Sequence, residues 1–296
     1  MKVFLAELKE IHPKAIKLLK TNGLEIVYDN KNKDIEVVFI RTYTRVDKFF
    51  LNNFPNLKYI LKAGVGLDNI DLEECKKRDI KVINAPGSNA NSVAEFVIAL
   101  MIMVLRNFPL QVNLLLSGKW RNLREKGFEI KDKVIGLIGC GAIGKLIAKK
   151  LKSFEVKKIL GYDPYLDEKI LKSYGIKKTN FLSLLKNSDI VSLHLPLTAE
   201  TKNLIGKKEL RMIKKNSYLI NTSRGGIINE SDLIWALKNN IINGAALDVF
   251  EGEPKIKKEF LSLKNVILTP HIAALTEEAD EAMSVEPVKK FLDMIK

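Results

Sequence analysis

Short apolar runs of strand length alternate with stretches of helical periodicity through the first 90 or so residues. Runs that are rich in Val and Ile indicate buried strands, and the longer periodic stretches between them indicate helices. Strands that alternate with helices predict parallel β-α-β units. The pattern predicts strands at residues 2–6, 25–28, 37–40, 57–61 and 81–84, with helices at 14–22 and 72–78.

A second series of the same kind begins near residue 133, after a long apolar stretch. Because each series suffices for its own parallel sheet, the chain is predicted to be an α/β protein with two such domains. The second series predicts strands at residues 133–138, 158–162, 190–193, 218–221, 245–249 and 266–268, with helices at 144–154 and 276–296.

The apolar stretch between the two series is predicted to be one helix over residues 92–116. Asn91 and Ser92 precede it and Glu95 lies in its first turn, which is typical of a capped helix start. Its apolar residues occupy nearly every face. Such a helix is expected to be buried at a domain junction or a subunit interface.

Composition narrows the class of protein. The longest apolar run, at residues 96–105, is much shorter than the roughly 20 residues that a membrane-spanning helix needs. Glu7 follows the start too closely for a signal peptide, and the two cysteines, Cys75 and Cys140, cannot form a disulfide framework or a four-thiolate metal site. We therefore expect a cytoplasmic protein with no membrane partner and no metal.

The formal net charge of +14 raises the alternative of a nucleic-acid-binding protein. However, the lysines are scattered through every segment and form no long basic tail, which is typical of a solvated surface. A general positive potential also attracts small anions. The expected partner is therefore a small anionic substrate rather than nucleic acid.

A glycine-rich loop follows the predicted strand 133–138. Gly139, Gly141 and Gly144 form the pattern G-x-G-x-x-G, with a strand before it and a helix after it. The first glycine allows a tight turn, the second lets a pyrophosphate approach the backbone, and the third lets the helix pack on the strand. The N–H groups of the helix start then face the anion. The loop predicts a dinucleotide site.

The next predicted strand ends at Asp163, 19 residues after Gly144. An acid at this place accepts hydrogen bonds from a ribose diol and repels a 2′-phosphate. No arginine follows it to bind such a phosphate, since the next residues are Pro164, Tyr165 and Leu166. NAD is therefore the expected cofactor. The alternative is a glycine turn in an α/β protein that binds no nucleotide.

Three further strand ends carry polar residues. Arg224 follows the strand 218–221, an acidic segment ending at Glu253 follows the strand 245–249, and His271 follows the strand 266–268. The planar guanidinium of arginine suits a carboxylate substrate, and a glutamate beside a histidine raises the pKa of the imidazole. Hydride transfer between nicotinamide and a 2-keto acid needs such groups.

Six ordered motifs together resemble the D-isomer-specific 2-hydroxyacid dehydrogenase family over nearly the whole chain. This resemblance implies a Rossmann NAD-binding domain at residues 88–274, inserted in a flavodoxin-like substrate domain at residues 1–87 and 275–296. Both are doubly wound parallel-sheet α/β domains. The apolar helix that starts at Ser92 and the segment through Trp120 are expected to pack against a second subunit, giving a homodimer. The motifs occupy residues 64–69, 84–87, 139–144, 194–198, 222–226 and 270–272.

The same resemblance assigns roles to residues. Arg224 would bind the substrate, His271 would be the acid–base group and Glu253 its partner. Substrate contacts would also come from Arg41, Lys62, Val65 and Gly66. The residues implied to bind NAD are Gly139, Gly141, Ala142, Ile143, Gly144, Asp163, Leu195, Pro196, Thr222, Ser223, Asp248, His271 and Ala274.

Within the family, residues 118–120 and 244–250 are similar to the branch that oxidises 3-phosphoglycerate for serine synthesis. Arg41 and Lys62 would then contact the phosphate. Reduction of glyoxylate or hydroxypyruvate is the alternative substrate class, and an NAD-sensing corepressor-like module without turnover is the non-enzymatic alternative. Two residues depart from the family pattern. Leu275 replaces a common serine and so removes a hydroxyl near the active-site hinge, and Ala273 replaces a common glycine, which is expected to stiffen the turn.

Overall fold

The computed structural model describes residues 1–30, 32–121 and 123–296. The chain forms two compact units, one of Met1–Ser92 with Ala274–Lys296 and one of Val93–Ala273. Each unit contains one fully parallel β-sheet with flanking helices. The predicted α/β class with two parallel sheets is therefore confirmed.

The strands of both sheets are short, as expected for buried parallel strands. Neighbouring strands in both sheets are parallel, and parallel pairing requires a crossover connection between successive strands. The strands are β1 (Lys2–Leu5), β2 (Glu25–Val27), β3 (Ile35–Ile40), β4 (Tyr59–Lys62), β5 (Lys81–Ile83), β6 (Val134–Ile138), β7 (Lys158–Tyr162), β8 (Ile176–Lys178), β9 (Ile190–Leu193), β10 (Tyr218–Asn221), β11 (Gly244–Leu247) and β12 (Val266–Leu268).

Helices supply the crossovers and cover the sheets. Several begin at a side-chain cap, for example Asp71, Asn180 and Asn229, each of which accepts a hydrogen bond from a backbone N–H of the first turn. The helices are α1 (Pro13–Thr21), α2 (Lys48–Asn52), α3 (Leu72–Lys77), α4 (Ala90–Leu105), α5 (Phe108–Leu116), α6 (Ala142–Leu151), α7 (Glu168–Ser173), α8 (Phe181–Asn187), α9 (Lys207–Met212), α10 (Glu230–Lys238) and α11 (Glu277–Ile295).

The first unit has the strand order β2-β1-β3-β4-β5, with an apolar layer on each side of the sheet. One layer contains Phe39 and Leu61 from the strands together with Phe291 from α11. The other contains Ile40 and Leu51. The C-terminal helix therefore completes the core of the unit that the N-terminal strands begin.

The second unit has the strand order β12-β11-β10-β9-β6-β7-β8. The chain starts at β6, moves outward through β7 and β8, and then returns to β9 on the other side of β6. This reversal creates a crevice at the carboxyl ends of β6 and β9, which is where open α/β sheets bind ligands. Ile138 and Leu193, at those ends, pack in one core cluster.

The prediction of a single helix over residues 92–116 is wrong. The chain forms α4 and α5, bent by 66°. Asn107, between them, has a left-handed backbone with φ of 48°, and Pro109 occupies the first turn of α5. Proline lacks the N–H that a continuous helix would need there, so the helix ends and restarts.

The sequence also gives no prediction for β8, whose residues Ile-Lys-Lys carry too few apolar positions to show a pattern. In the described part of the chain, no helix alone is long and apolar enough to span a membrane, and only the bent pair α4 and α5 reaches that length and apolarity when counted together.

Candidate active site

The candidate catalytic residues follow the carboxyl ends of three neighbouring strands in the second unit. Arg224 follows β10, Glu253 lies in the turn after β11, and His271 follows β12. Since these strands are parallel neighbours, their ends share one edge of the sheet. The sequence predicts each of the three residues at a strand end, and the structure gives their contacts.

His271 and Glu253 form a close pair. The Nδ1 atom of His271 lies 2.7 Å from Oε2 of Glu253, while the other carboxylate oxygen of Glu253 accepts the N–H of Phe250 at 2.7 Å. The imidazole side chain is 44% exposed, so it remains accessible to a reacting molecule. With Nδ1 bound to the carboxylate, Nε2 is the ring nitrogen available for proton transfer.

The pair shifts the titration of both groups. The hydrogen bond that His271 donates to Glu253 raises the pKa of His271 above its usual value, and this outweighs the opposite effect of burial. Burial would raise the pKa of Glu253, but hydrogen bonds from His271 and from the Phe250 N–H lower it overall. A glutamate ionised beside a histidine of raised pKa is suited to general acid–base chemistry near neutral pH.

Asp248 organises the turn that carries His271. Its carboxylate is fully buried and accepts hydrogen bonds from the Thr269 hydroxyl at 2.6 Å and from the N–H groups of Ile272 and Ala273, both at 2.8 Å. The carbonyl of Asp248 also accepts the N–H of His271 at 2.9 Å. His271 itself has a left-handed backbone with φ of 56°, which these bonds maintain.

Arg224 lies in the loop after β10, and hydrogen bonds from the last residue of that strand stabilise the loop. The amide of Asn221 donates to the carbonyl of Arg224 at 2.8 Å and accepts the Ser223 hydroxyl at 2.7 Å. The positive charge of Arg224 lowers the pKa of both His271 and Glu253 as a secondary effect, and the residue follows a strand that ends at the same sheet edge. A cation near an imidazole and a carboxylate is suited to an anionic substrate.

The glycine loop has the geometry that its sequence predicts. Gly139 has φ of 88°, and a side chain there would clash with the carbonyl of His194. A side chain at Gly144 would meet the carbonyl of Gly139 at 2.7 Å, whereas a Cβ at Gly141 would have nothing within 4 Å. The loop is thus tightly packed except at Gly141, where α6 begins and an anion has room to approach.

Asp163 joins this loop to the next strand. One carboxylate oxygen accepts the N–H of Cys140 at 3.0 Å, and the other accepts the N–H groups of Tyr165 at 3.0 Å and Leu166 at 3.2 Å. Burial raises the pKa of Cys140 to about 12, so its thiol is not a reactive nucleophile.

Two side chains at the ends of β9 and β10 also fit a bound cofactor. Within the described residues, neither ring nitrogen of His194 nor the hydroxyl of Thr222 has a hydrogen-bond partner, although these atoms are buried. Buried polar atoms usually have a partner, so a ligand or water is expected to supply one. Ala142, Ile143, Leu195, Pro196, Ser223 and Ala274, the other predicted cofactor residues, are at least partly accessible.

The predicted phosphate-binding residues belong to the first unit and already have protein partners. The guanidinium of Arg41 donates to the carboxylate of Asp280 and to the carbonyl of Glu10, and Lys62 donates to the carbonyl of Arg41. Lys62 is only 5% exposed. The turn at Val65 and Gly66 is tied to residue 84, whose amide donates to the Val65 carbonyl at 2.7 Å.

Glu7 fixes the loop that begins at Arg41, and sequence analysis did not single it out for this. Its carboxylate accepts the N–H groups of Arg41, Thr42, Tyr43 and Thr44 at 2.9–3.0 Å. Burial acts against this arrangement, but the hydrogen bonds lower the pKa of Glu7 overall. An isolated glutamate in a loop gives no sequence signal for such a role.

A cavity of about 560 Å³ lies at the opposite edge of the second sheet, between α5 and the amino ends of β10, β11 and β12. It is therefore remote from the His271–Glu253 pair. Among the described residues, no group of three or more His, Cys, Asp or Glu side chains is placed to hold a metal ion.

The fold and this edge of the second sheet define an α/β protein of the dinucleotide-binding class. Residues 98–273 match the model of the D-isomer specific 2-hydroxyacid dehydrogenase, NAD binding domain. The chain therefore belongs to the D-isomer-specific 2-hydroxyacid dehydrogenase family, and the predicted NAD-type cofactor is confirmed at the level of the domain.

Three similar proteins illustrate the range of the family. The chain is 40% identical to the D-3-phosphoglycerate dehydrogenase of Methanocaldococcus jannaschii, over 95% of this chain and 56% of that protein. It is 40% identical to the glyoxylate reductase of Thermococcus litoralis, over 90% of this chain and 82% of that protein.

Among solved structures, D-lactate dehydrogenase from Aquifex aeolicus, complexed with NAD and lactic acid, is 30% identical to this chain. The two superpose with a TM-score of 0.87 over 100% of this chain and 95% of the other. The chain thus spans little more than half the length of its phosphoglycerate dehydrogenase relative but nearly all of this structure.

Proposed function

We propose that the protein is an NAD-dependent dehydrogenase that interconverts a D-2-hydroxy acid and its 2-keto acid. The observation that carries this proposal is the 2.7 Å contact between His271 and Glu253 on the same sheet edge as Arg224. NAD, when bound, supplies the redox chemistry by accepting the hydride from the substrate carbon.

The residues of the chain supply the other parts. Arg224 holds the substrate carboxylate through its planar guanidinium. During oxidation Nε2 of His271 takes the hydroxyl proton as the hydride leaves the carbon, and during reduction it returns that proton to the carbonyl oxygen. Glu253 stabilises the imidazolium that oxidation creates, and the buried carboxylate of Asp248 holds the turn in place.

For the substrate, we propose 3-phosphoglycerate, which is oxidised to 3-phosphohydroxypyruvate in serine synthesis. A phosphorylated acid needs cations beyond Arg224, and Arg41 and Lys62 of the first unit are the candidates. The similarity to a D-3-phosphoglycerate dehydrogenase over 95% of the chain supports this choice. Val65 and Gly66 are proposed to bind the substrate carboxylate through their backbone.

Reduction of glyoxylate or hydroxypyruvate is the second candidate, and one observation favours it. Asp280 already neutralises the guanidinium of Arg41, so a phosphate would have to compete with a carboxylate of the protein. An unphosphorylated acid needs no such exchange. A glyoxylate reductase is also 40% identical to this chain.

We propose NAD rather than NADP because Asp163 lies where a 2′-phosphate would be bound. Its carboxylate is held in place by three backbone N–H groups and cannot readily turn away. A negative group fixed there repels the extra phosphate of NADP. The cytoplasm is the proposed location, since Cys75 and Cys140 are both free thiols.

The test is oxidation of NADH with 3-phosphohydroxypyruvate, hydroxypyruvate and glyoxylate in parallel, repeated with NADPH. Preference for the phosphorylated acid, lost in Arg41→Ala, would support 3-phosphoglycerate as the substrate. Reduction of glyoxylate is the matched control, since Arg41→Ala and the unmodified protein should reduce this unphosphorylated acid at the same rate. If none of the acids is reduced, the protein is better described as a nucleotide-sensing module.

We also propose a homodimer formed through the second unit. Large apolar side chains on α5 and the segment after it are exposed, which is unusual for a monomer. The solution mass should be that of two chains, and Leu116→Glu should give the mass of one. The exposed side chains are Phe108, Val112, Leu115, Leu116, Trp120, Leu123 and Phe128.

A further inference from the structure

Glu230, the first residue of α10, is a buried acid outside the His271–Glu253 pair. It is 4% exposed, and its Oε1 atom accepts the N–H of Glu251 at 2.6 Å. Within the described residues, its Oε2 atom has no partner. The cap of α10 is instead Asn229, whose side chain accepts the N–H of Asp232. Glu230 therefore serves the turn at residues 250–253 rather than its own helix.

That turn determines where Glu253 lies. Its carboxylate folds back so that Oε1 accepts the N–H of Phe250 and Oε2 meets His271, both at 2.7 Å. Phe250 and Glu251 are consecutive, so the Glu230 bond is one residue from the Phe250 bond. A shift of this turn would move the carboxylate away from the imidazole.

The loop after β10 holds the same turn from another side. Gly225 lies so close to the carbonyl of Phe250 that no side chain would fit there. Arg224 precedes this glycine, and Glu230 follows five residues later. One short segment therefore carries the substrate-binding arginine and both contacts that locate the turn of Glu253.

We propose that Glu230 is a positioning residue for the acid–base pair, holding the turn at residues 250–253 so that Glu253 meets His271. The inference rests on the proposed function, in which His271 transfers the proton. Burying a carboxyl group is costly, and a helix that is already capped gains little from it. The hydrogen bond to the turn explains why the acid is kept there.

Several charged groups surround the two sites. Lys257, Glu251 and Glu253 act on Glu230, while Glu253, Asp248 and Arg224 act on His271. Burial raises the pKa of Glu230. Because the N–H of Glu251 needs only an acceptor, the amide oxygen of a glutamine can replace the carboxylate at this position.

The experiment compares Glu230→Met, which removes the acceptor, with Glu230→Gln, which keeps it. We expect Glu230→Met to lower kcat by about 10- to 100-fold, as small displacements of catalytic groups do, with KM for NADH unchanged. Glu230→Gln should restore most of the rate. Asp232→Leu is the matched control, since Asp232 lies on the same helix and binds the N–H of Lys207 instead.

The pKa of His271, measured by NMR titration of the histidine ring signals, separates positioning from simple destabilisation. Glu230→Met should move it down toward the ordinary value of about 6.5, while Glu230→Gln and Asp232→Leu should not. An unchanged pKa and rate in folded Glu230→Met would overturn the proposal. The titration needs no turnover, so it remains informative even if the protein reduces none of the acids and the proposed function fails.

Discussion

At the scale of residues, the hydrogen bond between His271 and Glu253 determines the acid–base properties of the candidate site in the second unit. Nδ1 of His271 lies 2.7 Å from Glu253, and this contact raises the pKa of the imidazole. The protonated form therefore persists above pH 6.5. Reduction, which needs that proton, should be fast below the raised pKa and slow above it, whereas oxidation should show the opposite dependence.

We predict that Glu253→Gln shifts this pH dependence downward. A neutral amide stabilises the imidazolium less than a carboxylate, so the pKa of His271 should fall toward 6.5. The measurement is kcat/KM for keto-acid reduction between pH 5 and 9. A descending limb at the same pH in the variant and the original protein would contradict the role of Glu253.

His194 should make the protein sensitive to acid. Burial lowers its pKa from 6.5 to about 3, so only the unfolded chain takes up a proton between these values. Its contribution to stability is thus present above pH 6.5 and is lost as the pH falls, at about 1.4 kcal/mol per pH unit.

Urea unfolding at pH 4, 5, 6 and 7 tests this prediction. The free energy of unfolding should fall less steeply with decreasing pH in His194→Gln than in the unmodified protein, because glutamine does not titrate. Equal slopes in the two proteins would contradict the prediction, because they would mean that another group stabilises the protonated ring of His194 in the folded protein.

The residue scale also shows what the sequence could and could not reveal. Gly139, Asp163 and Arg224 stand in short motifs whose chemistry is local, so their positions were predictable. Glu230 and Glu7 act on backbone N–H groups that are 21 and 34–37 residues away. Contacts at such separations depend on the folded sheet, so no pattern in one sequence shows them.

At the scale of elements, strands were more predictable than breaks between helices. The buried strands β6 and β10 consist mainly of apolar residues bounded by turn signals, and they were found close to their observed limits. The helices α4 and α5 were predicted as a single helix over residues 92–116, because apolar periodicity continues through Asn107 and Pro109. These two residues break the helix despite the apolar pattern, since Asn107 adopts a left-handed backbone and Pro109 lacks an N–H.

We predict that Asn107→Val destabilises the protein by about 1–2 kcal/mol, because a β-branched residue adopts the left-handed backbone at a cost. Asn107→Gly should be neutral or stabilising. Asn113→Val, an exposed position inside α5, is the matched control and should change stability by less than about 0.5 kcal/mol. Urea unfolding measures all three, and similar values for both valine variants would contradict the argument.

At the scale of the whole molecule, the core of the first unit depends on a distant part of the chain. Phe291 of α11 is fully buried and packs edge-on against Tyr59 of β4, with ring centroids 5.0 Å apart. Val288 and Leu292 join the same cluster. The whole second unit, residues 93–273, separates these partners in sequence.

We predict that Phe291→Ala destabilises the first unit by about 3–5 kcal/mol through the cavity it leaves. Hydrogen exchange should show lost protection in β1, β3 and β4 and little change in β6, β9 and β10. Phe260→Ala, at a fully buried position of the second unit, should produce the reverse distribution. Loss of protection confined to the second unit in Phe291→Ala would refute the assignment of α11 to the first core.

The placement of α11 has a consequence for how the protein is made. The ribosome releases β1 to β5 first, but the helix that closes their core leaves the exit tunnel only after the whole second unit. The second unit is therefore expected to fold while the first remains incomplete. During that interval, the apolar face that Phe291 will cover is open to solvent, and a chaperone that binds nascent apolar segments would find it there.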